Sequence, residues 1–106
     1  MLFRSHGIGS SMHMDPSVPN VGTAGTGMEL QVGMALAIEP MVTLGARHVR
    51  TLDDDWTVVT EDGSHASHWE HTVAITADGP WVLTASDGGA AEFDRLGIAS
   101  PAAKLP

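Results

Sequence analysis

Two glutamates are candidates for chemistry because each is a carboxylate within a segment whose composition is typical of a β-strand. Alternate residues of a strand share a face, so Glu39 in MALAIEPMV (34–42) has Ala37 and Met41 beside it. A carboxylate among apolar side chains is costly unless it is paired, protonated or bound to a cation. The alternative is an edge-strand glutamate that reaches water, which the following Pro40 favours.

The second glutamate, Glu70, lies in SHWEHTVAIT (67–76). Strand alternation places it on one face with His68 and Thr72, while His71 belongs to the opposite face. Two interpretations remain open for this polar face. It is either the solvent side of a two-faced sheet or one wall of a site.

Histidines supply the other candidate groups. His6 and His13 begin and end the stretch HGIGSSMH, whose glycines permit a sharp backbone path or the close approach of a ligand. His65, His68 and His71 recur every three residues, but a period of three does not align on a strand, so a joint site is disfavoured. Taken singly, each histidine also suits an ordinary surface or loop position.

The composition limits the classes of function. The chain has 106 residues, enough for one small domain, and 13 acidic against five basic residues give a net charge of −8. This balance argues against nucleic acid or an anionic membrane surface as the main partner. The absence of cysteine excludes disulfides and thiolate metal sites, so His, Asp or Glu must hold any metal. Without a signal-peptide pattern or a run of about 18 apolar residues, the expected compartment is the cytoplasm.

The elements that must position these groups are mostly strands. Segments rich in Val, Ile, Thr and Trp, separated by Gly, Asp and Pro, predict an antiparallel sheet with little helix. A long loop is predicted at 10–30, and one or two helical turns at 90–96. We expect 1–85 to form the domain and 86–106 a flexible tail. The predicted strands are 3–8, 34–42, 46–52, 56–60, 67–76 and 80–84, with a hairpin turn at 77–79.

Five short motifs, taken in order, resemble the C-terminal half of type I methionine aminopeptidases. The resemblance runs from about residue 6 to residue 84, and it implies an α+β class with a partial pita-bread fold. It also implies metal-dependent hydrolysis that removes the initiator methionine from the N-terminus of nascent polypeptides. The motifs are HGIG (6–9), HMDP (13–16), IEPM (38–41), WTVVT (56–60) and WEHT (69–72).

The resemblance implies metal roles for three residues. His6, Glu39 and Glu70 match metal ligands of the family, which uses a pair of divalent cations (Co, Mn, Fe or Zn). Glu39 also matches the catalytic glutamate that handles the proton of the attacking water, and Glu70 the glutamate that bridges the metals. Two cations that share a water lower its pKa, and a carboxylate beside it serves as general base.

The resemblance also implies substrate contacts. His13 matches the catalytic histidine that contacts the substrate near the scissile bond, where a donated hydrogen bond stabilises the developing anion. Met12 and Trp56 fall where the family places residues of its methionine pocket.

The chain departs from the family in length, because family members are more than twice as long. Their first half supplies two aspartate ligands, another histidine and helices that cover the sheet. Three of five ligands are present here, so we expect at most one ion, and an isolated chain that is incomplete and inactive. The uncovered sheet predicts a complementing chain or self-association. The alternative function is a non-catalytic pita-bread-like module for peptide binding or interaction.

Overall fold

Nine short strands, of which the most regular are rich in Val, Ile and Thr, make up most of the regular structure within residues 4–104 of this protein. The structure, a computed structural model, describes residues 4–104. The helices and strands of this range are β1 (Ser5–Gly7), β2 (Met14–Val18), β3 (Ala35–Ile38), β4 (Met41–Thr43), β5 (Val49–Thr51), β6 (Val58–Thr60), β7 (Ala66–His68), β8 (His71–Thr76), β9 (Gly79–Val82), the helix α1 (Ala90–Leu96) and a 3-10 turn (Pro101–Lys104).

Five strands form an antiparallel sheet in the order β2-β1-β3-β8-β9. Two further pairs, β4 with β7 and β5 with β6, are antiparallel ribbons. The predicted class, mainly antiparallel sheet with little helix, is confirmed. The predicted turn is confirmed as well, because Thr76 pairs with Gly79 across a two-residue loop.

A long ribbon runs through both the sheet and one of the two-stranded pairs. It consists of β3 followed by β4 on one side, and of β7 followed by β8 on the other. The single strand predicted at 34–42 is therefore wrong, because the structure divides it after Ile38. The strand predicted at 67–76 is divided in the same way after His68.

Pro40 explains the division of the long ribbon. Proline has no backbone N–H and cannot donate to a strand ladder. The Trp69 N–H still donates to the Pro40 carbonyl at 3.2 Å, but no bond returns from Pro40. The two chains therefore stay side by side while the regular ladder is interrupted.

The loop predicted at 10–30 is also only partly correct, because β2 lies inside it and pairs with β1. Its sequence, MDPSV, lacks a strand pattern, and the pairing arises from tertiary contact with the edge of β1. Gly7 makes that contact feasible, since a Cβ on it would overlap the Asp15 carbonyl. The strand predicted at 3–8 is confirmed over Ser5–Gly7, whereas residue 3 lies outside the described residues.

The buried core is small and centres on β3. Leu36 and Ala37, which face opposite sides of the sheet, are both buried, as is Ala102 of the 3-10 turn. The Ser100 hydroxyl donates to the Pro80 carbonyl at 2.7 Å and so fixes this turn against β9. The helix predicted at 90–96 is confirmed as α1. The domain boundary at residue 85 and the mobility of 86–106 stay predictions.

Within residues 4–104, no helix combines the length and the apolar character needed to cross a membrane.

Candidate metal centre

The register of the long ribbon places Glu39 opposite Glu70. Ile38 pairs with His71, and the next pair along the ribbon, towards β4 and β7, is therefore Glu39 with Glu70. Counting from the other side, two steps from the pair of Met41 with His68 lead to the same position. The two candidate glutamates are thus cross-strand neighbours at the point where the ladder is interrupted.

Backbone hydrogen bonds show how close this pair lies. The bond from Trp69 to Pro40 and the bond from the Ile75 N–H to the Met34 carbonyl, 2.8 Å long, mark every second pair as hydrogen-bonded. Glu39 and Glu70 therefore occupy a non-hydrogen-bonded position, where facing Cα atoms are about 4.5 Å apart and side chains are closest. Two like charges in that position repel each other unless a cation lies between them.

The Glu39 carboxylate lies between two imidazoles, each next to a different oxygen. The His6 Nε2 is 2.9 Å from Oε1, and the His68 Nε2 is 3.2 Å from Oε2. The side chains of His6 and Glu39 are 13% and 16% exposed, whereas that of His68 is 47% exposed. Glu39 is therefore largely withdrawn from water, with His68 on its solvent side.

One group of at least three His, Asp or Glu side chains among residues 4–104 has the mutual distances of a metal site. It consists of Glu39, His68 and Glu70, each of which offers one ligand atom within 4.8 Å of the other two. His6 contacts Glu39 but does not belong to that group. The set His6, Glu39 and Glu70 therefore stays a prediction.

His6 has the orientation of a metal-ligating histidine. Its Nδ1 is 2.8 Å from the Gly7 carbonyl, and because a carbonyl only accepts, Nδ1 carries the proton. Nε2, which lies 2.9 Å from the Glu39 Oε1, is therefore the ring nitrogen left to face a cation. A hydrogen bond from the second ring nitrogen to a carbonyl is the usual support of a ligating imidazole.

Ser5 positions the backbone of Glu39, a role that sequence reasoning missed. Its hydroxyl accepts the Glu39 N–H at 2.8 Å and donates to the Asn20 Oδ1 at 2.6 Å. The Ser5 side chain is fully buried. The hydroxyl thus replaces a ladder partner where β3 ends. The only sequence signal was a polar residue directly before the HGIG motif.

The predicted substrate residues have different surroundings. The His13 ring lies 4.5 Å from the His6 ring, centroid to centroid, so the two ends of HGIGSSMH meet. Met12 and Trp56 are 64% and 80% exposed. Among the described residues, neither has a hydrogen bond or ring contact with the carboxylate cluster. The substrate roles of all three residues stay predictions.

The histidines spaced by three residues do not act together. The His71 Nδ1 lies 2.8 Å from the Thr84 hydroxyl, and neither His65 nor His71 joins the carboxylate group found in the described part of the chain. His68 does join it, and sequence reasoning missed this. The available signal was its two-residue spacing from Glu70, which places both on one face of a strand.

The residues present fit a divalent cation. Two opposed carboxylates and an imidazole are the nitrogen and oxygen donors that Zn, Mn, Fe and Co accept. A bound divalent cation would supply a water of lowered pKa as nucleophile at this place. The carboxylates of Glu39 and Glu70 would hold it, and a carboxylate beside such a water accepts its proton.

Comparison with known proteins agrees with this chemistry. The model of metallopeptidase family M24 matches residues 3–77. Methionine aminopeptidase 1 of Mycobacterium tuberculosis is 60% identical over 82 residues, which are 77% of this chain and 31% of that protein. Methionine aminopeptidase of Clostridium perfringens is 57% identical over 82 residues, 77% of this chain and 33% of its own length. The chain thus spans about a third of the length of the curated relatives it matches.

Solved structures match in fold as well. The crystal structure of methionine aminopeptidase from Thermotoga maritima aligns with a TM-score of 0.72 at 51% identity, covering 77% of this chain and 33% of that one. That of methionine aminopeptidase from Rickettsia prowazekii aligns with a TM-score of 0.72 at 39% identity, covering 78% and 34%. The matches confirm that the sheet is part of the pita-bread fold. With a family match over most of its length and carboxylates opposed at a metal-type cluster, this chain belongs to metallopeptidase family M24.

Proposed function

We propose that this chain supplies the C-terminal part of the active site of a methionine aminopeptidase. The reaction is the hydrolytic removal of the initiator methionine from the N-terminus of nascent polypeptides. One observation supports this most directly. Glu39 and Glu70 face each other across the long ribbon, with imidazoles on both oxygens of Glu39.

The proposed metal ligands are His6, Glu39 and Glu70. Glu39 has the second role of general base, because its carboxylate is largely withdrawn from water and faces the place where a cation would hold the nucleophile. The Nδ1 hydrogen bond of His6 supports ligation through Nε2.

The proposed substrate contacts are those of His13, Met12 and Trp56. His13 lies beside His6, and from there a donated hydrogen bond would stabilise the anion that develops at the scissile carbonyl. Met12 and Trp56 expose apolar surface, which suits a pocket for the methionine side chain once further protein surface covers it.

The proposal extends to the metals and the cell compartment. A complete family site holds two divalent ions, drawn from Co, Mn, Fe or Zn, and the three matched ligands of this chain account for at most one. The missing donors would come from protein that completes the site, either a complementing chain or a second part of the same enzyme. The proposed compartment is the cytoplasm, where nascent polypeptides are processed.

A second candidate function is a non-catalytic interaction module. It is favoured by the exposed apolar side chains on and beside β4, since Val42 is 64% and Leu44 is 83% exposed. Exposed apolar residues of this kind suit a surface that binds another protein.

A chimeric enzyme separates the two candidates. The matching 82-residue segment of the Mycobacterium tuberculosis methionine aminopeptidase would be replaced by the segment from this chain. We expect the chimera to release methionine from a Met-Ala-Ser peptide with added cobalt or manganese, and the full chain alone to release none. The Glu39→Ala chimera should lose about 100-fold or more in kcat, as expected for loss of a general base.

Glu61→Ala provides the matched control, because Glu61 is an exposed glutamate in a turn. It should leave the kcat of the chimera unchanged. A folded chimera that binds the peptide without releasing methionine would contradict the aminopeptidase and support the interaction module.

A further inference from the structure

We propose that His68 is a metal ligand of this chain, and that it forms a single-ion site with Glu39 and Glu70. The inference rests on the proposed function, because it concerns the same cation centre. It goes beyond that function by adding an imidazole to which the family resemblance gives no role. Three ligands from one ribbon are enough to hold one ion, with water in the remaining positions.

The long ribbon brings the three side chains to one place. His68 and Glu70 are two residues apart, so they share a face of the strand. Glu39 lies opposite Glu70 and diagonal to His68, because Met41 is the direct partner of His68. Diagonal neighbours in antiparallel strands remain within reach of long side chains.

Distances among the ligand atoms support a common ion. The His68 Nε2 is 3.2 Å from the Glu39 Oε2, and the three ligand atoms lie within 4.8 Å of one another. Ligand atoms around one tetrahedral ion at about 2.1 Å are about 3.4 Å apart. Side-chain rotations of His68 would shorten the longer of these separations towards that value. The ring has room to rotate because about half of the His68 side chain is exposed.

The carboxylates give a physical reason for ligation rather than a simple ion pair. Among the described residues, the Glu70 carboxylate has no hydrogen bond or ion pair, although it faces the carboxylate of Glu39. A hydrogen bond donated by the His68 Nε2 would satisfy one oxygen of Glu39 and leave the Glu70 carboxylate without a partner. A divalent cation held by all three side chains neutralises both carboxylates at once.

His6 and His68 have separate positions, since they approach different oxygens of Glu39. The group that contains Glu70 includes His68 and excludes His6. His68 therefore adds a donor to the ion that Glu39 and Glu70 would hold, while His6 approaches the same Glu39 carboxylate through its other oxygen. Loss of His68 should affect cation binding without disturbing His6.

Titration of the purified full chain with Co²⁺ tests the inference, with affinity read by calorimetry and coordination read by the visible absorption of the bound ion. We expect His68→Ala to weaken Co²⁺ binding about tenfold or more and to change the absorption band, since a nitrogen ligand is lost. His65→Ala is the matched control, an exposed histidine three residues away, and should leave both unchanged.

A direct spectroscopic measurement covers the case in which His68→Ala fails to fold. In the ¹⁵N-labelled native chain, added Zn²⁺ should shift the Nε2 resonance of His68 and leave that of His65 in place. Unchanged Co²⁺ affinity and absorption in a folded His68→Ala chain, or an unshifted His68 nitrogen, would overturn the inference. Neither result affects the methionine-release assay of the chimera, so failure of this inference and failure of the aminopeptidase are distinguishable.

Discussion

The carboxylates of the acidic turns and those of the candidate metal centre have opposite surroundings. In the turns, Asp62 accepts the backbone N–H groups of Ser64 at 2.9 Å and Ala46 at 2.7 Å. These bonds, Ser64 first, lower the pKa of Asp62 to about 2. In the metal centre, Glu39 faces imidazoles and the carboxylate of Glu70 instead.

Hydrogen bonds from nearby groups also lower the pKa of two other turn aspartates. The hydroxyl and the backbone N–H of Thr57 lower the pKa of Asp54, and the N–H groups of Ala91 and Gly89 lower that of Asp87. A carboxylate that accepts local N–H groups holds a loop in place. A carboxylate that faces another carboxylate costs stability until a cation binds. The two kinds of surroundings therefore distinguish the turn aspartates from the carboxylates of the candidate metal centre.

The largest expected effect is that of Glu39→Gln on cation affinity. Glutamine keeps the shape but loses the charge, so Mn²⁺ binding to the full chain should weaken about 100-fold or more, measured by calorimetry. Glu61→Gln, in an exposed turn, should stay within about twofold of the native chain. Native affinity in Glu39→Gln would break the distinction between the two classes of carboxylate.

Ser5→Ala should destabilise the fold next most strongly. The substitution leaves the Glu39 N–H and the Asn20 Oδ1 without the buried hydroxyl, and an unpaired buried group costs about 1–3 kcal/mol. Urea denaturation measures the loss. Ser11→Ala, in an exposed loop, should leave the free energy of unfolding unchanged, and an equally stable Ser5→Ala chain would contradict the positioning role.

Glu70→Gln should act in opposite directions on stability and binding. Removal of one of two facing charges should stabilise the metal-free chain by about 0.2–1 kcal/mol, while cation affinity falls. Thermal unfolding in the presence of a chelator measures the first effect, and calorimetry with Mn²⁺ the second. If the metal-free chain loses stability instead, Glu70 has a structural partner and does not belong with Glu39.

The smallest expected effect is the contribution of Asp62 to the loss of stability at low pH. The folded-state pKa of Asp62 lies below its ordinary value of 3.8, so its contribution to stability is fully present above pH 3.8. That contribution is lost as the pH falls from 3.8 to about 2. The urea midpoint of the native chain should therefore drop between pH 6 and pH 3 more than that of Asp62→Asn. Equal drops in both chains would show that the turn carboxylate contributes nothing.

Local sequence pattern predicted much of the fold and some of the centre. Alternation of apolar and polar residues predicted the strands and correctly grouped His68 with Glu70. It failed at Pro40, where one predicted strand became two, and at β2, whose sequence has no strand pattern and forms only against β1. It also gave no role to Ser5, because a buried hydroxyl that accepts a distant N–H leaves no periodic signal.

By itself, the sequence determined the donor types, the faces on which they lie and the family to which the motifs point. Only the tertiary structure decided which donors meet. Strand pairing between residues about 30 positions apart sets Glu39 against Glu70, and the same register places His68 diagonally across from Glu39. The physical reason is that alternation along one strand fixes the face of a side chain, whereas register across two strands fixes its neighbours.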